Sequence, residues 1–196
     1  MGIKAIKGRI MDTAPLNSEA VAVWMYKGFN TRYAIWSFEI KERDIQLELI
    51  YPNDFMHSEN SLESAYKTKT ECEPWRLPYG TLWKITNRNQ GKLKYIYIFP
   101  NPEDKQRLEN LDEIDELIKR CFTILNENSI NSVSLILIPA LPRGEHNTEL
   151  EDIKSAEQMI CSIKNWLSEN EEDMNVYLVD RVDGFRNVIE RFDSES

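Results

Sequence analysis

Apolar and polar positions alternate along this chain in two distinct periods. Two short runs are apolar at nearly every position, Ala20–Met25 (AVAVWM) and Val133–Ile138 (VSLILI). Runs of this length and density are strands buried on both faces, and such strands lie inside a sheet covered by layers on either side. Strands are also predicted at Ile3 to Ile10, where Gly8 marks a close approach or bulge, and at Val176 to Val179. Thr81 to Thr86 and Lys94 to Phe99 form a hairpin around an Asn87–Gly91 turn. Alternation at Ala34, Trp36, Phe38 and Ile40, and again at Ile45, Leu47 and Leu49, predicts two further strands joined at Glu42-Arg43-Asp44. The same stretch also fits a helix through Ile35, Phe38, Ile45 and Leu49.

Helical spacing takes over from Glu103. Leu108, Leu111, Ile114, Ile118, Cys121, Phe122 and Leu125 recur every three or four residues, as do Leu150, Ile153, Ala156, Ile160, Ile163 and Leu167. Thr148 and Glu151 make a capping box at the start of the second series. A terminal helix covers Phe185 to Phe192, and Pro15, Asn17 and Ser18 read as a turn. Helices that alternate with strands in the second half are crossover connections, which require parallel strands. The pattern therefore predicts one domain over residues 1–196, three layers deep (α/β/α), on a mixed, largely parallel sheet. An irregular polar insertion lies at about residues 52–76, with a short helix at Ser61–Lys67.

Composition narrows the function. The net charge of −9 divides into +3 over residues 1–100 and −12 over residues 101–196. An acidic half of this kind argues against a nucleic-acid polymer, which needs clustered cations. It also offers a surface to a basic protein partner. No apolar run is long enough to span a membrane, and no leader peptide is evident at the polar N-terminus. Cys121 and Cys161 fall on apolar helix faces as reduced core thiols, which fits a cytoplasmic setting. No metal-ligand spacing and no cofactor motif is present.

The candidate chemistry sits where strands hand over to helices, since ligands of α/β sheets bind beyond the carboxyl ends of strands. The loop Pro139–Asn147 contains Arg143, Gly144, His146 and Asn147, and Tyr26, Lys27 and Asn30 follow the second strand. Arg143 and backbone amides at a helix N-terminus suit an anion. His146 beside Glu145 has the composition of a general base, and a solvent-exposed loop histidine is the plainer account.

These residues resemble a family. Ser134–Leu141 (SLILIPAL), then a glycine-containing loop and an amphipathic helix, is similar to the second half of a macro domain. In that family a strand ending in "PALG" leads into a phosphate loop. Ile3–Ile10 (IKAIKGRI) resembles the first strand with its "GDI" turn, and Leu77–Thr81 with Lys94–Ile98 resembles the family's hairpin. Val176–Asp180 with Phe185 resembles the last strand and the aromatic that covers the nucleobase. The resemblance spans residues 1–30 and 77–192 in order. It implies recognition of a nucleotide-derived small molecule, ADP-ribose or a related signal. Arg143 and Gly144 would hold phosphate, Phe185 would stack the base beside Asp180, and Tyr26, Lys27 and Asn30 would close the far end.

The departures are specific. Arg9 stands where the family has an aspartate for the adenine amino group, with Asp12 the nearest acid. Trp24-Met25-Tyr26-Lys27 replaces the asparagine-rich loop, and the phosphate loop keeps one glycine, with Pro142 removing a donor. Binding without catalysis is therefore the leading expectation. An ADP-ribosyl hydrolase or phosphoesterase, and an interaction domain that has lost its pocket, are the alternatives.

Overall fold

Strand-forming and helix-forming stretches alternate in a computed structural model that describes residues 2–25, 38, 45–51, 82–88, 91–100, 111–138, 148–181 and 184–194. The elements are β1 (Gly2–Lys7), α1 (Ile10–Asn17), β2 (Ala20–Met25), β3 (Ile45–Tyr51), β4 (Leu82–Asn87) and β5 (Tyr95–Pro100), then α2 (Leu111–Glu127), β6 (Ser132–Ile136), α3 (Thr148–Glu169), β7 (Asn175–Asp180) and α4 (Gly184–Ser194). The sheet has seven strands in the order β1-β7-β6-β2-β5-β4-β3. Contacts from β1 through to β5 are parallel, and the β5–β4 and β4–β3 contacts are antiparallel. The expected mixed, largely parallel sheet in three layers is what forms.

Period-2 alternation divides the core in two. Ala20, Ala22 and Trp24 of β2, Tyr97 and Phe99 of β5, Val133 and Leu135 of β6 and Val176 and Leu178 of β7 face α2, α3 and α4 in the larger cluster. Val21, Val23, Ile96, Ile98, Trp83 and Ile85 face the other way, together with Ala14 of α1. The two apolar runs singled out in the sequence, β2 and β6, lie side by side in the middle of the sheet. Ser134, the polar residue inside the β6 run, points to the α1 side. There its hydroxyl lies 2.8 Å from that of Ser18, which also donates to the Ala14 carbonyl at 3.3 Å. Burial of both serines is thus compensated by hydrogen bonds.

Several expectations need correction. The first strand stops at Lys7, not Ile10, because Gly8 (φ +156°) turns the chain into α1. Pro15 and Asn17 belong to that helix and not to a turn. Ile153 is 36% exposed although the helical spacing put it on the apolar face. Cys161 is only half-buried, while Cys121 is fully enclosed and burial pushes its thiol pKa up. The strand at Ile45–Leu49 forms as β3, whereas the stretch Ala34–Ile40 lies outside the described residues except for Phe38. The insertion at about 52–76, the helix at Ser61–Lys67 and the first turn expected from Glu103 also lie outside them.

The amino edge of the sheet is fastened by Glu19. Its carboxylate accepts the backbone N–H groups of Asn131 and Ser132, and its own N–H donates to Ser132 Oγ at 3.0 Å. Its carbonyl accepts from Lys94 and Tyr95, so one residue joins β2, β5 and β6. Glu19→Ala leaves two N–H groups without this acceptor and is expected to cost about 1–2 kcal/mol in urea unfolding. Glu19→Gln, which keeps an amide oxygen, should recover most of that loss.

Candidate functional site

All five parallel strands present their carboxyl ends along one edge. At that edge β1 leads into α1 on one face of the sheet, while its neighbour β7 leads into α4 on the opposite face. Adjacent strands whose connections leave on opposite faces open a crevice between their ends. The β1/β7 pair makes such a switch point, and four sequence-predicted residues flank it: Arg9, Asp12, Asp180 and Phe185.

The two junctions are joined directly. Gly8 N–H donates to the Asp180 carbonyl at 2.7 Å, continuing the register that pairs Lys7 with Asp180. A side chain at Gly8 would bring its Cβ to 3.0 Å from Thr13 Cγ2, so the chain turns tightly there because the residue is glycine. Arg9 then occupies the position that precedes α1. Its carbonyl accepts from Asp12 N–H at 3.0 Å and Thr13 N–H at 3.1 Å, and Thr13 Oγ1 donates to it at 3.1 Å. The Arg9 side chain is exposed, with Nε 2.9 Å from Met11 Sδ and 3.8 Å from Asp12 Oδ2. The Arg9–Asp12 pair is therefore a solvated ion pair.

Across the crevice, Asp180 Oδ2 accepts the Phe185 N–H at 2.8 Å and so caps the first turn of α4. This approach depends on Gly184, where a Cβ would come within 3.2 Å of the same oxygen. Gly184 was not singled out in the sequence, although a glycine four residues after a strand-ending aspartate is a usable signal. The Phe185 ring is 1% exposed and packs in the larger core cluster. It offers no free face for a nucleobase, and the expected stacking gives way to a core role for the ring and a capping role for its N–H.

Arg143, Gly144, His146, Asn147, Tyr26, Lys27 and Asn30 lie outside the described residues. The strands that precede those loops, β6 and β2, end at this same edge. Among the described residues no group of three His, Cys, Asp or Glu side chains is placed to hold a metal ion, and no helix is long and apolar enough to cross a membrane. A separate open groove of about 440 Å³ lies within the helical layer between α3 and α4, with Cys161, Lys154 and Arg191 on its walls. Arg191 is paired there with Glu157, so the groove carries less free positive charge than its composition implies.

Comparison with known proteins gives the fold a context. No family model matches the chain, and no curated protein matches it in sequence. Solved macrodomains match it in structure. The macrodomain of Oceanobacillus iheyensis with MES bound superposes with a TM-score of 0.53 at 14% identity, over 99% of this chain and 93% of that one. The Mycobacterium tuberculosis DarG macrodomain gives 0.50 at 15% identity, over 91% and 97%. The Trypanosoma brucei macrodomain in complex with ADP-ribose gives 0.51 at 13% identity, over 97% of this chain and 68% of that one. In another crystal form of the trypanosome protein this chain spans 66% of the length. At these identities the likeness is one of fold, and the fold is macro-like.

Proposed function

We propose that this chain binds a nucleotide-derived small molecule, ADP-ribose or a close chemical relative, at the carboxyl edge of its sheet, and does so without turnover. The observation that carries the reading is the β1/β7 switch point. There the Gly8–Asp180 hydrogen bond joins the ends of β1 and β7, so the segments carrying Arg9, Asp12 and Asp180 meet just ahead of two helices. It is supported by the macro-like fold, solved examples of which hold ADP-ribose and ADP.

In this reading Arg143 and the backbone around Gly144, with His146 and Asn147 beside them, take the phosphates. Tyr26, Lys27 and Asn30 close over one end of the ligand, and Arg9, Asp12 and Asp180 border the other. Phe185 contributes its backbone N–H to holding Asp180 and not its ring to the base. Binding alone carries function, because Trp24-Met25-Tyr26-Lys27 stands where the family resemblance calls for the asparagine-rich loop used in catalysis.

Thermal-shift and calorimetric titration with ADP-ribose, cyclic nucleotides and dinucleotides tests the proposal. A ligand at a hundred times its Kd stabilises the native state by about 2.7 kcal/mol. For a chain of this size that raises the melting temperature by roughly 5–10 °C. Arg143→Ala is expected to weaken the same ligand about tenfold or more, the worth of a charge-assisted hydrogen bond. Absence of stabilisation by all of these compounds at millimolar concentration would overturn the binding reading. Release of ADP-ribose from a modified protein would replace it with the hydrolase.

A further inference from the structure

The sheet ends in two edge strands, β1 and β3, and the two edges differ. The β3 ladder shifts register between Leu49 and Tyr51, an irregularity of the kind that blunts an edge against further pairing. β1 pairs with β7 from Gly2 to Lys7 with no shift. In a parallel ladder alternate residues turn both backbone groups to the neighbouring strand. Gly8 N–H bonds the Asp180 carbonyl, so Ile6 and Lys4 face β7 as well, and the backbone groups of Ile3, Ala5 and Lys7 are directed outward. Among the described residues no strand pairs with that outer side.

The side chains along β1 decide what can pair there. Ile3 and Ala5 are half-buried against the larger core cluster, on the α4 face of the sheet. Lys7 shares that face by alternation, while Lys4 and Ile6 lie on the α1 face. Lys4 and Lys7 are exposed and Ile6 is half-buried. Residues 1–10 hold the cations Lys4, Lys7 and Arg9 and no acid, in a chain whose net charge is −9. A second β1 laid alongside would bring like charges together, so this edge opposes self-pairing. The same lysines favour a strand that carries carboxylates at matching positions.

We propose that β1 is a docking edge for an extended acidic segment of another protein, which joins the sheet antiparallel to β1. Ile3, Ala5 and Lys7 exchange backbone hydrogen bonds with the incoming strand. Residues directly opposite one another share a face, so β1 dictates the pattern it accepts. Opposite Lys7, Ile6, Ala5, Lys4 and Ile3 in turn, that pattern is acid, apolar, apolar, acid, apolar. The first carboxylate meets Lys7 on the α4 face, and the second meets Lys4 on the α1 face. The apolar positions extend the half-buried surfaces of Ile6, Ala5 and Ile3. This lateral edge is separate from the crevice at the carboxyl ends of the strands, so the proposal goes beyond the nucleotide reading and does not depend on it.

The test is a titration of the ¹⁵N-labelled full chain with a capped peptide containing Glu-Val-Val-Glu-Val, beside a charge-reversed peptide containing Lys-Val-Val-Lys-Val. The acidic peptide is expected to shift the amides of Ile3, Ala5 and Lys7 most and to slow their exchange with solvent. The charge-reversed peptide should bind about tenfold more weakly or worse, and added salt should weaken the acidic one. Lys4→Glu, at an exposed position, should lower the affinity for the acidic peptide about 3–10-fold. Ala5→Pro removes an outward N–H and leaves the β1–β7 hydrogen bonds in place, so it should abolish peptide binding. If Ala5→Pro does not fold, Lys4→Glu and the two peptides decide the matter. ADP-ribose should behave alike with Lys4→Glu and the wild type, which keeps the two readings distinguishable. No amide shift at millimolar acidic peptide, equal binding of the two peptides, or shifts centred away from β1 would overturn the proposal. So would self-association of the chain through β1 in the absence of peptide, read by sedimentation.

Discussion

Replacing Phe122 by alanine is expected to destabilise the protein by about 3–5 kcal/mol, the largest effect of any single change considered. Phe122 is fully buried on α2 in the larger core cluster. Its ring lies 5.5 Å from that of Trp166 on α3, with the planes at 51°. The loss combines the transfer free energy of the ring, the cavity left between the two helices, and an aromatic pair worth about 0.5–1.5 kcal/mol beyond its area. Thermal unfolding should show a fall of roughly 10 °C or more. Leu16→Ala provides the contrast. That side chain is 75% exposed on α1, and its removal should change stability by less than about 0.5 kcal/mol.

The second large effect is at Gly8. Gly8→Val places a β-branched residue at φ +156° and puts its Cβ 3.0 Å from Thr13 Cγ2. Strain in the backbone and overpacking against α1 each cost about 1–2 kcal/mol, the lower part of their usual ranges, so a total near 2–4 kcal/mol is expected. Thr13→Ala in the same chain should recover the steric share and leave the backbone share. The substitution also acts on function. Gly8 N–H holds the Asp180 carbonyl, and Arg9 follows it, so shifting Gly8 parts the two sides of the crevice. Ligand affinity should fall with it, whereas Phe122→Ala should lower stability without changing the affinity of the fraction that remains folded.

The sheet was legible where burial is extreme. β2 and β6 are apolar at almost every position because helices cover both faces, and runs of only six residues are too short for a buried helix. α1 escaped because Pro15 and Asn17 look like punctuation. The helix tolerates Pro15 because tertiary contacts anchor it: Ala14 is fully buried, and Ser18 returns both its N–H and its hydroxyl to the Ala14 carbonyl. Ile153 was misplaced because a 22-residue helix carries apolar residues beyond its buried stripe, and periodicity does not weight one match over another.

At the candidate site, which segments meet was more legible than what each residue does there. Arg9, Asp12, Asp180 and Phe185 were picked from two distant segments, and the β1/β7 pairing brings those segments together. The role given to the Phe185 ring was wrong for a reason present in the sequence. Phe185, Val188, Ile189 and Phe192 repeat at helical spacing and define the apolar face of α4, which places the ring inward. The burial of Trp24 was legible, whereas the surroundings of its N–H were not. A large ring at the end of an apolar strand predicts burial, but whether its N–H finds an acceptor depends on neighbours contributed by other segments.

The central claim is that a nucleotide-derived ligand sits at the carboxyl edge of the sheet. Backbone amide shift mapping during titration with ADP-ribose tests it most directly. The largest changes should fall on Gly8, Arg9, Asp180, Gly184 and Phe185, around the β1/β7 switch point. Changes centred on Glu19, Asn131 and Asn175 at the amino edge, or on Lys154, Cys161 and Arg191 in the helical groove, would contradict it.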